Sequence, residues 1–175
     1  MRCWVCVLLM SAGLHSYGQA QKAPPTLKSI LLEQLRTTHN EKDWFVPVSV
    51  ALEGVTPEQA KWKDHSGNHS IEELANHLIF WDDRALQKFK GAQTAQFDGN
   101  NEETFRAADT WDATVRKLDS VLTEWEKAVE AADDGKLSKW YSTIAHIGTH
   151  NAYHTGQIVY IRRLQGSWNP EKGVH

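Results

Sequence analysis

The sequence predicts an all-α chain: a four-helix bundle with one short extra helical turn between the first and second long helices. Three observations predict it. Apolar residues recur at steps of three and four in four separate segments, the period that lays one stripe along one face of a helix. Residues that cap, open or stop helices stand at the ends of those segments. No segment alternates apolar and polar residues with the period of two that a half-buried strand needs. Four amphipathic helices with three connections bury all four stripes by packing around one core.

The chain has 175 residues, and its first stretch reads as a leader rather than part of the bundle. Met1-Arg2 gives a short positive start, Cys3 to Leu14 is mostly apolar, and Gly18-Gln19-Ala20 places small residues around a cut after Ala20. That is the pattern of a secretory signal peptide, too short for a permanent anchor. Residues 1–20 are therefore expected to be removed on export across the inner membrane. Residues 21–175 then form a single periplasmic or secreted domain. Both cysteines, Cys3 and Cys6, lie in the leader, so the mature chain offers no disulfide and no thiolate ligand. With 19 basic and 22 acidic residues and no basic cluster, nucleic acid is not an expected partner. No later apolar run approaches the length of a membrane span.

Thr26 can cap the first helix, and Leu27, Ile30, Leu31, Leu35 and Thr38 follow at helical steps. The pattern continues through Trp44, Phe45 and Val48, with Pro47 expected to kink or break it and Gly54 to close it. Thr56-Pro57-Glu58-Gln59 combines a cap, a proline at the first helical position and a glutamine at the third, which predicts the extra turn. Residues 64–69 read as loop. Ser70-Ile71-Glu72-Glu73 is a capping box that opens the second long helix. Its stripe is Ile71, Leu74, Leu78, Trp81, Ala85 and Phe89, ending at Gly91. The third helix carries Trp111, Val115, Leu118, Leu122, Trp125 and Val129, and Asp133-Asp134-Gly135 stops it. The fourth runs from about Trp140 to Gln165, with Thr143, Ile147, His150, His154, Gln157 and Ile161 as its inward row.

That last row holds the chemistry. His146, His150 and His154 stand at strict four-residue spacing. Neighbours four apart on a helix have Cβ atoms about 5–6 Å apart, close enough for two imidazoles to reach one metal ion. His146 and His154 are roughly 12 Å apart along the axis and cannot share it. One adjacent pair can bind, with the remaining histidine left for a pocket role. A third ligand must then come from elsewhere. His150 and His154 occupy the inward row, where an apolar residue is expected. On the second helix His77 lies at the edge of the apolar stripe and qualifies as the third ligand. His39 is a weaker candidate, His65 and His69 read as solvated loop residues, His15 is in the leader and His175 is terminal. Glu73 is explained by its capping box, Asp82 and Asp83 by a solvated face. Trp81, Trp111 and Trp125 are expected in the core.

The stretch Ser70-Ile71-Glu72-Glu73-Leu74-Ala75-Asn76-His77-Leu78, followed by Trp81, resembles the helix-two signature of the DinB-like (YfiT-like) superfamily. His150-Asn151-Ala152-Tyr153-His154-Thr155-Gly156-Gln157-Ile158 resembles that family's helix-four signature, H-x-x-x-H-x-G-Q-I. The similarity in layout covers residues 26–165. It implies a bundle that binds one divalent metal through three histidines, which fall here on His77, His150 and His154, the trio the periodicity selects. His146 matches a position where histidine is frequent without being a ligand. Thr155 stands where the family often has arginine, which removes any anion or inter-subunit contact an arginine would make.

Three imidazoles without a thiolate suit Zn²⁺, Ni²⁺, Fe²⁺ or Mn²⁺. The expected function is metal-dependent hydrolysis of a small-molecule substrate, with His146 as the candidate proton carrier. The opposing class is a non-catalytic periplasmic metal- or ligand-binding bundle. A thiol-dependent transferase, known among the relatives, is a further alternative that an exported chain, away from reduced cytosolic thiols, makes less suitable. Trp44, Trp62 and Trp168 fall outside the inward rows, and relatives of this kind often pair, so a homodimer is expected.

Overall fold

The computed structural model describes residues 24–107 and 109–173. The signal peptide expected over residues 1–20 lies outside the described residues, as do His15 and His175. Six α-helices follow in order: α1 (Leu27–His39), α2 (Val48–Leu52), α3 (Pro57–Lys61), α4 (Ile71–Phe89), α5 (Trp111–Ala131) and α6 (Asp134–Leu164). There is no strand among the described residues. The four long helices α1, α4, α5 and α6 form the bundle, as the periodicity predicts.

Local chemistry sets the helix starts. The Oγ1 of Thr26, the Oγ1 of Thr56 and the Oγ of Ser70 each accept from the backbone N–H three residues on. In each case the side chain at that third position accepts the cap's own N–H, closing a capping box. Two boundaries differ from expectation. α1 ends at His39, with Asn40 as its C-cap, and does not continue through Trp44; a separate helix, α2, starts after Pro47. Proline fixes its own φ and disfavours helix in the residue before it, so the apolar period resumes in a new element. α6 begins at Asp134 rather than near Trp140. Asp133, read as part of a stop, is the N-cap of α6 and accepts from the Lys136 N–H. The same short polar residue serves either purpose, and its hydrogen bond decides for the start.

Contacts fix the directions. Lys28 bonds the Glu130 carbonyl at 2.9 Å while His39 meets Asp119 and Glu126, so α1 and α5 are antiparallel. Phe89 meets Trp125 with centroids 5.3 Å apart, and Lys90 pairs with Glu124 at 2.8 Å. At the other end Leu74 and Leu78 pack with Trp111 and Leu118. α4 and α5 are therefore parallel. The segment from residue 90 to 107 crosses back along the bundle toward the start of α5, which gives the order up, down, down, up. That crossing carries a 3₁₀ turn, Asn101–Phe105, which packs on α4.

The core falls into two apolar clusters. One gathers α2, the first half of α4 and α5, and the end of α6 around Val48, Leu78, Leu118 and Ile158. The other gathers α1, the second half of α4 and α5, and the start of α6 around Leu35, Phe89, Trp125 and Ile144. Between them lie Asp82 and Asn151, both fully buried. Asp82, expected on a solvated face, is thus a correction. It follows Leu78 and precedes Leu86 by four residues each, both buried, so its register places it inside. Its main-chain carbonyl accepts from the Trp125 indole at 3.0 Å. Burial pushes the Asp82 carboxyl well above the usual carboxylate range, against a smaller opposing pull from the Asn151 amide. At one end, buried Arg162 donates to the carbonyls of Ala51 and Glu53 and ties down the C-terminus of α2.

Candidate metal centre

His77 comes from α4, and His150 and His154 come from α6, which runs antiparallel to it. The three Nε2 atoms converge: His77 to His150 is 3.2 Å, and His154 to His150 is 3.0 Å. One nitrogen from each residue lies within 4.8 Å of the others. Two nitrogens each about 2.0–2.1 Å from a common ion stand roughly 3.3 Å apart in a tetrahedral arrangement, so the spacing is already that of a ligand set. His77 and His154 are buried and His150 is half-buried.

The outer nitrogens are committed. His77 Nδ1 lies 2.6 Å from Thr104 Oγ1, and that hydroxyl donates its own proton to the Asn101 carbonyl at 2.6 Å. With its hydrogen spent, Thr104 can only accept, so His77 carries its proton on Nδ1. His154 Nδ1 likewise faces Gln157 Oε1 at 2.6 Å, a pure acceptor. Both rings therefore turn an Nε2 lone pair toward the common point, the tautomer a metal ligand needs. Two lone pairs aimed at one spot repel unless a cation stands between them. That is the fit of this donor set to a divalent metal, and among the described residues no carboxylate joins it.

Burial keeps these rings neutral. His77 is pushed down to about 3, first by desolvation and then by the neighbouring His154, His150 and His69. His150 is pushed down to about 4 by desolvation and by His154. His154 is also lowered, chiefly by desolvation, while its bond to Gln157 works the other way. At neutral pH all three offer lone pairs rather than protons.

Aromatic packing fixes His77 further. Phe105 stacks on its face with centroids 4.0 Å apart and planes within 7°, and His69 stacks on the far side of Phe105 at 3.7 Å. His69 is therefore half-buried in a ring stack, with Glu73 and Glu102 near its nitrogens, and not the solvated loop residue expected. Thr104 and Phe105 were not legible as site residues. They lie on the irregular crossing, where no period marks them, and reach His77 only because the crossing returns to the start of α4.

The remaining expectations divide. His146 is exposed and lies one turn from His150, lining the same open cleft as His77 and His150. His65 is exposed as expected. His39 is distant from the trio; its Nδ1 meets Glu126 at 2.6 Å and its Nε2 meets Asp119 at 3.0 Å. Trp111 and Trp125 are core residues, but Trp81 is half-exposed and walls the cleft. The buried row of α6 is shifted toward Gly148, Asn151, Thr155 and Ile158, with His150 and Gln157 on its edge. The trio consequently sits at the side of the bundle, where a cleft can reach it, rather than on its axis. Of the tryptophans expected at a surface, Trp44 is 89% exposed and Trp62 37%, whereas Trp168 is buried near Arg162.

An up-down-down-up bundle with three inward-turned imidazoles on one flank defines a class: helical bundles with an open three-histidine centre. A sequence model of the DinB superfamily matches residues 48–158, well over half of the chain. The protein belongs to the DinB superfamily. Comparison with curated proteins and with solved structures gave no match.

Proposed function

We propose that the protein is an exported DinB-superfamily member that binds one divalent transition metal through His77, His150 and His154 and hydrolyses a small molecule. The observation that carries this reading is a set of three neutral imidazole nitrogens, without a carboxylate, beside a cleft of about 640 Å³. A divalent ion held there supplies Lewis acidity, acidifying water and polarising a carbonyl, with its charge undiminished by protein anions. The chain's own part is to hold and orient. Thr104 and Gln157 keep the Nε2 lone pairs aimed, Phe105 and His69 lock the His77 ring, and His146 stands in the cleft to carry a proton. Zn²⁺, Ni²⁺, Fe²⁺ and Mn²⁺ all suit the donors.

The test is a panel of esters, lactams, amides and phosphoesters, and of thiol-transfer pairs, offered to metal-loaded protein. Turnover abolished by His77→Ala and retained by the exposed-histidine variant His65→Ala supports the enzyme. One observation favours a second reading: among the described residues no Asp or Glu side chain lines the cleft. Tight metal uptake with silence across the panel supports a non-catalytic binder. Export is tested by sequencing the N-terminus of secreted material, which should begin near Gln21. Pairing through the exposed tryptophans is tested by light scattering at micromolar concentration.

A further inference from the structure

The cleft that reaches His77 and His150 differs in kind from two other hollows of the molecule. One of these, about 410 Å³, is bordered by Lys63 and Asp64, and the other, about 440 Å³, by Glu53, Asp112 and Arg116. The cleft beside His77 and His150, about 640 Å³, has no Lys, Arg, Asp or Glu side chain on its wall among the described residues. Its polar groups are Asn101, Thr143, Thr149, His77, His146 and His150, and its apolar ones include Trp81, Ile147 and Tyr153. A ligand entering it meets no fixed side-chain charge.

The two large rings come from different helices and touch different members of the trio. Trp81 of α4 meets His77 edge-on at 6.5 Å, and Tyr153 of α6 meets His154 edge-on at 5.0 Å. Trp81 is held in place: Phe80 and Phe97 pack against it at 5.1 and 5.6 Å with planes near perpendicular. Tyr153 is 65% exposed. A fixed indole beside one ligand and an exposed phenol ring beside another present flat apolar surface next to the point where the three Nε2 atoms meet. Flat rings gain from offset stacking or edge contact with such surfaces beyond the area they bury.

From this we infer that the cleft takes an uncharged, arene-bearing acyl compound, its ring against Trp81 and Tyr153 and its carbonyl oxygen at the three histidines. This rests on the proposed metal site and names the substrate class for it. Esters and amides of aryl or arylalkyl acids fit the description. Phosphoesters do not, because a phosphate dianion finds no Arg or Lys among the described residues of the wall to share its charge.

The test uses two hydroxamates that coordinate a metal alike and differ in the ring. Acetohydroxamate and benzohydroxamate are titrated by calorimetry into protein whose metal content is measured in the same sample, with the visible spectrum of Co²⁺-loaded protein as a second readout. Benzohydroxamate is expected to bind at least about tenfold more tightly. That preference should shrink in Trp81→Ala and in Tyr153→Ala, while metal content and acetohydroxamate affinity stay as in the wild type. The exposed position of Tyr153 keeps the test interpretable if Trp81→Ala folds poorly. Equal affinities, or a preference that survives both substitutions, overturns the inference. The readout is independent of turnover: the ring preference can hold while the ester panel stays silent, which counts against hydrolysis alone. Protein that takes up no metal overturns both.

Discussion

Replacing Thr104 by valine removes one hydroxyl at nearly constant volume and tests how the crossing segment controls the site. In the wild type the Thr104 hydroxyl donates to the Asn101 carbonyl and accepts from His77 Nδ1 at 2.6 Å, which leaves the His77 Nε2 lone pair facing His150. Without that acceptor the metal-free ring has an escape. It can move its proton to Nε2 and donate toward His150 Nε2, 3.2 Å away. The metal-bound ring has none, because Nε2 is then engaged and the Nδ1 proton stays buried without a partner. The loss therefore falls on metal binding rather than on folding. Outer partners of ligating histidines are worth about 10- to 100-fold in metal affinity, or about 1.4–2.7 kcal/mol. Competition against a chromophoric chelator measures the ratio. Thr104→Val should weaken affinity within that range, Thr104→Ser should restore most of it, and the thermal midpoint of the metal-free protein should move little. Affinity unchanged within twofold in Thr104→Val would refute the tautomer argument.

Asp82 gives the chain a specific pH dependence. Its folded pKa is raised well above its ordinary value, so the folded state keeps a proton that the unfolded state releases above about pH 4. Stability contributed by this residue is full at low pH and is lost as pH rises toward the folded pKa, by about 1.4 kcal/mol for each pH unit crossed. Melting curves of metal-free wild type and Asp82→Asn from pH 4.5 to 8 should show the variant gaining on the wild type as pH rises; a constant offset contradicts this. His39, buried between Glu126 and Asp119, fastens α1 to α5. His39→Ala should cost on the order of 2 kcal/mol and leave metal content unchanged, as read by denaturant titration beside metal analysis. Stability equal to the wild type would remove that clamp from the account.

The parts of the fold visible in the sequence were those written in local chemistry. Ser70 and Glu73 fix the start of α4 through one capping box, and the unbroken steps from Trp111 to Val129 describe α5. The pair His150 and His154 follows from helical spacing, and His77 from its place beside the α4 stripe. Asp82 was equally legible, since it sits four residues from both Leu78 and Leu86, but its charge argued for solvent and concealed the register. What could not be read were the consequences of the crossing. A polar segment with one 3₁₀ turn gives no period, so nothing local shows that α4 and α5 run parallel. For the same reason nothing local shows that Thr104 and Phe105 return to hold His77. The side-on placement of the trio was hidden as well, because the true buried row of α6 passes through Asn151 and Thr155, whose polarity masks it.

Metal content of the purified protein, prepared without a histidine tag and measured by mass spectrometry of the elements, bears most directly on the proposed centre. Wild-type protein should carry about one divalent transition-metal ion per chain, and His150→Ala/His154→Ala should carry essentially none while remaining helical by circular dichroism. Equal, sub-stoichiometric metal in both proteins would contradict the site on which the functional reading stands.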